Sequence, residues 1–239
     1  MPKTDSIPKA ERVPTGVPGL DEVIEGGLER RSITLVRGGG GCGKTILSLQ
    51  FLHTGCTKYD EPGAFISFSE SKASIYKTGE LFGYDLAKLE EQEKFAFIRH
   101  SPHEVDRILK EGGGTVRDTL ESIGAKRLVV DSVTAYSIFF DSPYRENEGV
   151  LSLFEILKSW NVTALVTEER DVHLNTIESG RLGFLTDSIL HLYHVRTDSS
   201  RVRGIEIVKM RHTTHSEKVM PFKIDRKGLV VYPDTQLLV

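Results

Sequence analysis

The stretch Ser32-Ile33-Thr34-Leu35-Val36-Arg37-Gly38-Gly39-Gly40-Gly41-Cys42-Gly43-Lys44-Thr45 decides how this chain reads. Ser32–Arg37 is a short apolar, β-rich run bounded by glycines, the pattern of a buried strand. Lys44–Thr57 places apolar residues at 46, 47, 51 and 52, near helical spacing. The residues between, Gly38–Thr45, fit G-x-x-x-x-G-K-S/T in full. Glycines let backbone N–H groups curl around phosphate oxygens with no Cβ in the way. The helix start adds partial positive charge. Lys44 then reaches the β- and γ-phosphates, and the Thr45 hydroxyl ligates Mg²⁺. The expected nucleotide contacts are Gly41, Cys42, Gly43, Lys44, Thr45 and Ile46. Cys42 sits where a helix N-terminus would stabilise a thiolate; the plainer reading is a small residue that fits the loop.

Such a site needs an acidic residue at the end of a second strand to hold the magnesium water shell. Leu128–Asp131 reads as that strand and puts Asp131 at the carboxyl edge of the sheet, where ligands of such sheets bind. The competing role for Asp131-Ser132 is a helix cap. Ala64–Phe68 reads as another strand, followed by Ser69-Glu70-Ser71. Glu70 is the candidate to orient and deprotonate an attacking water, with a capping carboxylate as the alternative. Further along, Lys72–Phe82 reads as a helix stopped by Gly83, Phe95–Ile98 as a strand and Glu146–Trp160 as an amphipathic helix. Val162–Thr167 reads as a strand, and Gly112-Gly113-Gly114 breaks a polar helical stretch. Alternating strands and helices predict an α/β fold, with a mostly parallel central sheet and helices on both faces. Ile189–Val195, Gly204–Arg211, Val219–Ile224 and Leu229–Tyr232 predict antiparallel C-terminal edge strands. Pro2, Pro8 and Pro14 mark a flexible lead-in over 1–12, before one domain over 13–239.

Composition limits the partners. There are 31 basic and 34 acidic residues, a net charge of −3, which excludes a wholesale polybasic nucleic-acid or membrane binder. Two cysteines, Cys42 and Cys56, make no disulfide framework and fit a reducing cytoplasm. No apolar run is long enough to span a membrane, and the start lacks the apolar stretch of a signal peptide. Arg201–Val239 is locally basic, which calls for an anionic partner or a solvated face. No Cys/His metal spacing and no nucleophile–base pair suggests a second chemistry.

Several separated motifs occur in one order. Thr15-Gly16…Leu20-Asp21…Gly26-Gly27-Leu28 opens the series, and Gln50-Phe51-Leu52 follows the glycine loop. Phe82-Gly83-Tyr84-Asp85-Leu86, Asp131-Ser132-Val133-Thr134 and Lys209-Met210-Arg211-His212-Thr213-Thr214-His215…Pro221-Phe222 complete it. With these, residues 13–233 resemble a single KaiC domain, in the RecA-like branch of P-loop NTPases. The resemblance implies ATP and Mg²⁺, with Thr45 and Asp131 at the metal. It implies a hexameric ring with ATP at subunit interfaces, reached by the neighbour's Lys209, Met210, Arg211, Thr213 and His215. The residues allow this. Positions 209, 211, 213 and 215 share one face of a strand, and Lys209 and Arg211 would clamp phosphate in trans. The alternative is a charged edge strand that discourages aggregation.

The chain departs from the family pattern in four places. Ser69-Glu70 stands where the family shows two adjacent glutamates, so the resemblance implies slow hydrolysis, with Lys44, Glu70 and Arg211 as the catalytic set. Gly183-Phe184 stands where the clock protein autophosphorylates a Ser-Thr pair, so that activity is not expected. Arg31 and His212 replace family glycines, and Arg31 has no reading from sequence.

Three functions compete. The first is a slow ring ATPase with a regulatory or signalling role. The second is a nucleotide-binding scaffold for an unidentified protein partner, with negligible hydrolysis. The third is a RecA- or RadA-like DNA recombination paralogue. The loops expected to grip DNA, Ser137–Gly149 and Asp171–Phe184, are net acidic, which disfavours a polyanion.

Overall fold

Neighbouring residues Leu35 and Val36 are both fully buried, which requires a strand covered on both faces. The computed structural model describes residues 10–101, 104, 114–174, 181–196 and 200–237. A small antiparallel pair, β1 (Arg12–Val13) and β2 (Leu28–Glu29), precedes β3 (Ile33–Gly38) and α1 (Lys44–Lys58). Then come β4 (Gly63–Ser67), α2 (Lys72–Leu81), α3 (Leu86–Glu91), β5 (Phe95–Arg99) and α4 (Gly114–Ser122). Next are β6 (Arg127–Asp131), α5 (Val133–Ser137), α6 (Pro143–Ser159) and β7 (Thr163–Glu169). The chain closes with β8 (Ser188–Arg196), β9 (Arg201–Met210), β10 (Met220–Asp225) and β11 (Gly228–Val231).

The main sheet has nine strands in the order β11-β10-β9-β8-β3-β7-β6-β4-β5. From β8 to β5 every pairing is parallel; from β8 to β11 every pairing is antiparallel. This is the RecA-like P-loop NTPase architecture expected from the sequence. One face packs Val36, Phe65, Val129 and Leu165 against Leu47, Phe51 and Ile75 of α1 and α2. The other packs Leu35, Ile66, Val130 and Val166 against Tyr136, Leu153, Phe154 and Leu157 of α5 and α6. Consecutive strand residues alternate between the two cores, as a period of two demands. No helix among the described residues is long and apolar enough to cross a membrane.

The differences from expectation have local causes. β7 runs to Glu169 because Arg37↔Glu168 and Gly38↔Glu169 continue its ladder with β3. Most of Ser137–Gly149 is helix rather than loop, since Ser142 caps α6 by accepting from Arg145 N and Pro143 presets the first turn. β9 stops at Met210, short of Arg211, where the chain turns at His212 with φ 53°. Arg12 belongs to β1 rather than to a flexible lead-in, held by its pairing with Glu29. Residues 1–9 of that lead-in lie outside the described residues, as do Gly112, Gly113 and 175–180 of the second loop. Arg31 (φ 64°) and His212 both occupy the left-handed region. That geometry explains the glycines of the family pattern at these positions.

Candidate nucleotide site

The loop Gly38–Gly43 joins β3, at the centre of the sheet, to the first turn of α1. Gly43 caps the helix with φ 112°, and a Cβ there would meet Ile224 Cδ1 at 3.2 Å. The loop therefore rests on the β10–β11 hairpin. Gly41 has φ 71° and nothing within 4 Å of a would-be Cβ, so the loop is open on that side. Lys44 is buried and folds back over the loop, donating from Nζ to Gly38 O at 2.7 Å and Gly39 O at 2.9 Å. Ile46 packs partly buried against the α1-side core. Burial pushes the Cys42 thiol up, ahead of the opposing Lys44 charge, in the direction that favours the small-residue reading.

β6 delivers Asp131 opposite the helix start. Thr45 Oγ1 donates to Asp131 Oδ2 at 3.0 Å, and Thr167 Oγ1 of β7 donates to Oδ1 at 2.6 Å. Burial raises this carboxyl above its ordinary value; the two hydroxyl bonds oppose the shift, Glu70's charge adds to it and Lys44's lowers it. A hydroxyl and a buried carboxylate, with no cationic side chain bonded to either among the described residues, form a hard-oxygen pair suited to magnesium.

Glu70 lies near enough for its charge to be felt at Asp131. Its Oε2 accepts from Ser74 Oγ at 2.7 Å, which ties it to the first turn of α2. Ser69, beside it, is exposed.

The basic segment is arranged differently from the one-face strand expected. Lys209, still on β9, donates from Nζ to Gly183 O and Thr186 O, each at 2.7 Å, and burial lowers its pKa. Met210 is buried in the α1-side core. Arg211, Thr213 and His215 follow the strand, and the left-handed His212 breaks their alternation. Arg211 pairs through Nη1 with Asp187 Oδ1 at 3.2 Å, and His215 Nδ1 lies 3.1 Å from Ser216 O. Among the described residues these contacts run to their own surroundings, not to the glycine loop or Asp131.

The end of β7 was missed by sequence reasoning. Besides Thr167, it places Glu169 Oε1 3.4 Å from a would-be Cβ on Gly40, and beyond it Asp171 Oδ1 lies 2.5 Å from one on Gly39. Glu168 Oε2 accepts from the buried Arg37 Nε at 2.6 Å. Thr167-Glu168-Glu169 follows an apolar run, the same signal that found Asp131. Arg203 Nη2 of β9, 3.5 Å from Gly41 O, had no such signal. On the α5–α6 side of β7 lies a cavity of about 470 Å³, lined in part by Thr134, Glu169, Leu182 and Phe184.

A family model described as "ATPase: KaiC" matches residues 13–236. The circadian clock oscillator protein KaiC of Prochlorococcus marinus strain SARG is 34% identical over 232 residues, 94% of this chain and 46% of that protein. The chain thus spans about half the length of that relative. A UPF0273 protein of Methanocaldococcus jannaschii is 32% identical over 240 residues, covering 95% of this chain and 98% of the relative. The crystal structure of a KaiC-like protein from Pyrococcus horikoshii superposes with a TM-score of 0.83 at 33% identity, over 94% of this chain and 100% of that one. With a family match of this extent on a RecA-like sheet and glycine loop, the chain belongs to the KaiC family of ATPases, in the RecA superfamily.

Proposed function

We propose that this chain binds ATP with magnesium at Gly38–Thr45 and Asp131. It hydrolyses the nucleotide slowly, at the interfaces of a homo-hexameric ring, in a regulatory or signalling role. The observation that carries this reading is the Thr45–Asp131 contact of 3.0 Å across 86 positions of sequence, beside a complete glycine loop. The open side of Gly41 receives phosphate oxygens on backbone N–H groups. Lys44 exchanges its two carbonyl partners for the β- and γ-phosphates. Thr45 and Asp131 would hold magnesium, which would supply charge stabilisation to the phosphate oxygens. Glu70 takes the proton of the attacking water; Ser74 occupies Oε2 and leaves Oε1 for that task. Arg211 of the neighbouring copy offsets charge as the γ-phosphate departs. The two buried free thiols suit a reducing cytoplasm.

Mixing two variants tests the shared site. Arg211→Ala keeps its own P-loop, and Lys44→Ala keeps its own basic segment. Each alone is expected to lose turnover, by about 10²–10³-fold for the lysine. Mixed rings should recover phosphate release at interfaces that pair a good loop with a good Arg211. Co-assembled mixtures that stay inactive at every ratio would remove the trans assignment.

A nucleotide-binding scaffold with negligible turnover is the second reading. It is favoured by Ser69 and by the hold of Ser74 on Glu70. Here Ser69→Glu decides: faster phosphate release supports an enzyme limited by its missing carboxylate. If neither Ser69→Glu nor Glu70→Gln changes the rate, Glu70 is not the base.

A further inference from the structure

The turn after β9, which carries Arg211, Thr213 and His215, is gripped from the far end of the sequence. Arg12 of β1 donates from Nη1 to Thr213 Oγ1 at 2.7 Å and from Nη2 to His212 O at 3.2 Å. The same Nη2 donates to Glu25 Oε2 at 2.8 Å. Glu25 Oε1 accepts from Thr214 N at 3.3 Å, and Val23 O accepts from Ser216 N at 3.4 Å. Glu29 Oε2 lies 3.1 Å from His212 Nδ1. The Thr213 hydroxyl receives Arg12 and gives its own proton to Arg211 O at 3.0 Å. A line of hydrogen bonds thus runs from Arg12 through Thr213 to the backbone of Arg211.

The turn needs such a hold. It has left the β9 ladder, and it contains a non-glycine residue in the left-handed region. The Arg12 side chain is only 10% exposed, with Glu25 as its charge partner. A desolvated planar fork fixes two acceptors at once, which a flexible ammonium would not. On its other side Arg211 is anchored by Asp187, through its N–H at 3.0 Å and its guanidinium at 3.2 Å.

We propose that Arg12 and Glu25 are positioning residues for the neighbour-facing basic segment. They clamp the turn, and so set where Arg211 points in the adjacent copy's nucleotide site. Removing the clamp leaves the arginine's charge in place and frees its aim. The proposal rests on the trans reading of Lys209–His215 given above.

Hydrogen exchange on the purified full chain reads the clamp directly. Arg12→Ala is expected to speed exchange of the amides at 211–216 by about tenfold, with those of β3 and α1 unchanged. Unchanged exchange at 211–216 overturns the clamp. Thr213→Val preserves the Arg12–Glu25 pair and should give the same local loss, which covers an Arg12→Ala chain that fails to fold. Phosphate release then reads position. Arg12→Ala is expected to lower kcat by about tenfold while KM for ATP changes less than about twofold. Mixed with Lys44→Ala subunits, whose clamp is intact, it should recover activity as Arg211→Ala does. Recovery with Arg211→Ala but not with Arg12→Ala overturns the positioning role and leaves the trans site standing. Recovery with neither overturns the trans site and the positioning role together.

Discussion

Strand β6 begins at Arg127 and ends at Asp131, and its two ends treat a buried carboxylate in opposite ways. At the amino end, burial pushes Glu61 up, but its bonds to Arg30 (2.7 Å) and Arg127 (2.8 Å) and their charges outweigh that, so its pKa falls below the ordinary value. Arg127 also donates to Pro14 O and Phe51 O, which ties the segment after β1 and α1 to β6. At the carboxyl end, burial wins at Asp131, whose side-chain partners among the described residues are two hydroxyls. One carboxylate is complete as it stands and serves the fold. The other has no cationic side chain bonded to it among the described residues, as the proposed magnesium site would require.

Asp131→Asn attacks the functional end and should have the largest effect. Turnover is expected to fall by about 10²–10³-fold in a phosphate-release assay, while the chain stays folded. Normal turnover in the Asp131→Asn chain would mean that the two ends do not differ in the way described. Glu61→Gln attacks the structural end. It leaves the buried Arg127 guanidinium without the Glu61 charge and should cost about 3 kcal/mol in denaturant melts. Phosphate release from the chain still folded at low temperature should be unchanged.

The third expectation concerns pH. The Asp131 carboxyl has a folded pKa raised above 3.8, so the folded state binds the extra proton and stability is lost as pH rises through that raised value. Asp131→Asn should therefore stabilise the chain at neutral pH, on the order of 1 kcal/mol, and not below about pH 3.8. Glu61 has the opposite sign: its contribution is present above 4.5 and lost as pH falls through the lowered folded value. Melts at acid and neutral pH that move both variants alike would refute the contrast. The smallest effect belongs to His212→Gly. Relief of the left-handed strain, about 1 kcal/mol, is partly offset by the greater freedom of glycine in the unfolded chain. A net gain of about 0.5 kcal/mol should appear in the melting curve; a loss would mean that the Glu29 contact outweighs the strain.

What could be read from sequence was what depends on neighbours in sequence. The glycine loop, Asp131 after its apolar run and the antiparallel close all rest on local pattern, and all are in the fold. The apolar pattern carries this strand only to Thr167, and pairing with Arg37 and Gly38 extends the ladder to Glu168 and Glu169. Likewise the alternation of 209, 211, 213 and 215 assumed a strand that stops at Met210, where nothing local announces the left-handed turn at His212. The grip of Arg12 on Thr213 spans 201 residues, and no short-range pattern carries it.

The P-loop rests on the β10–β11 hairpin. Gly43 abuts Ile224, and the Gln50 side chain bonds Gly16 O, Leu229 O and Leu229 N, which sews the nucleotide helix to β11. Synthesis delivers these parts far apart in time. At about 5–20 residues per second, the loop leaves the ribosome roughly 10–40 s before the hairpin that supports it. During that interval the motif exists as sequence without its floor. A nascent chain arrested before Met220 should therefore fail to retain ATP on a nucleotide column, while one that has released β11 should retain it. Nucleotide capture by the proposed site is thus expected to wait for β10 and β11 rather than for the loop alone.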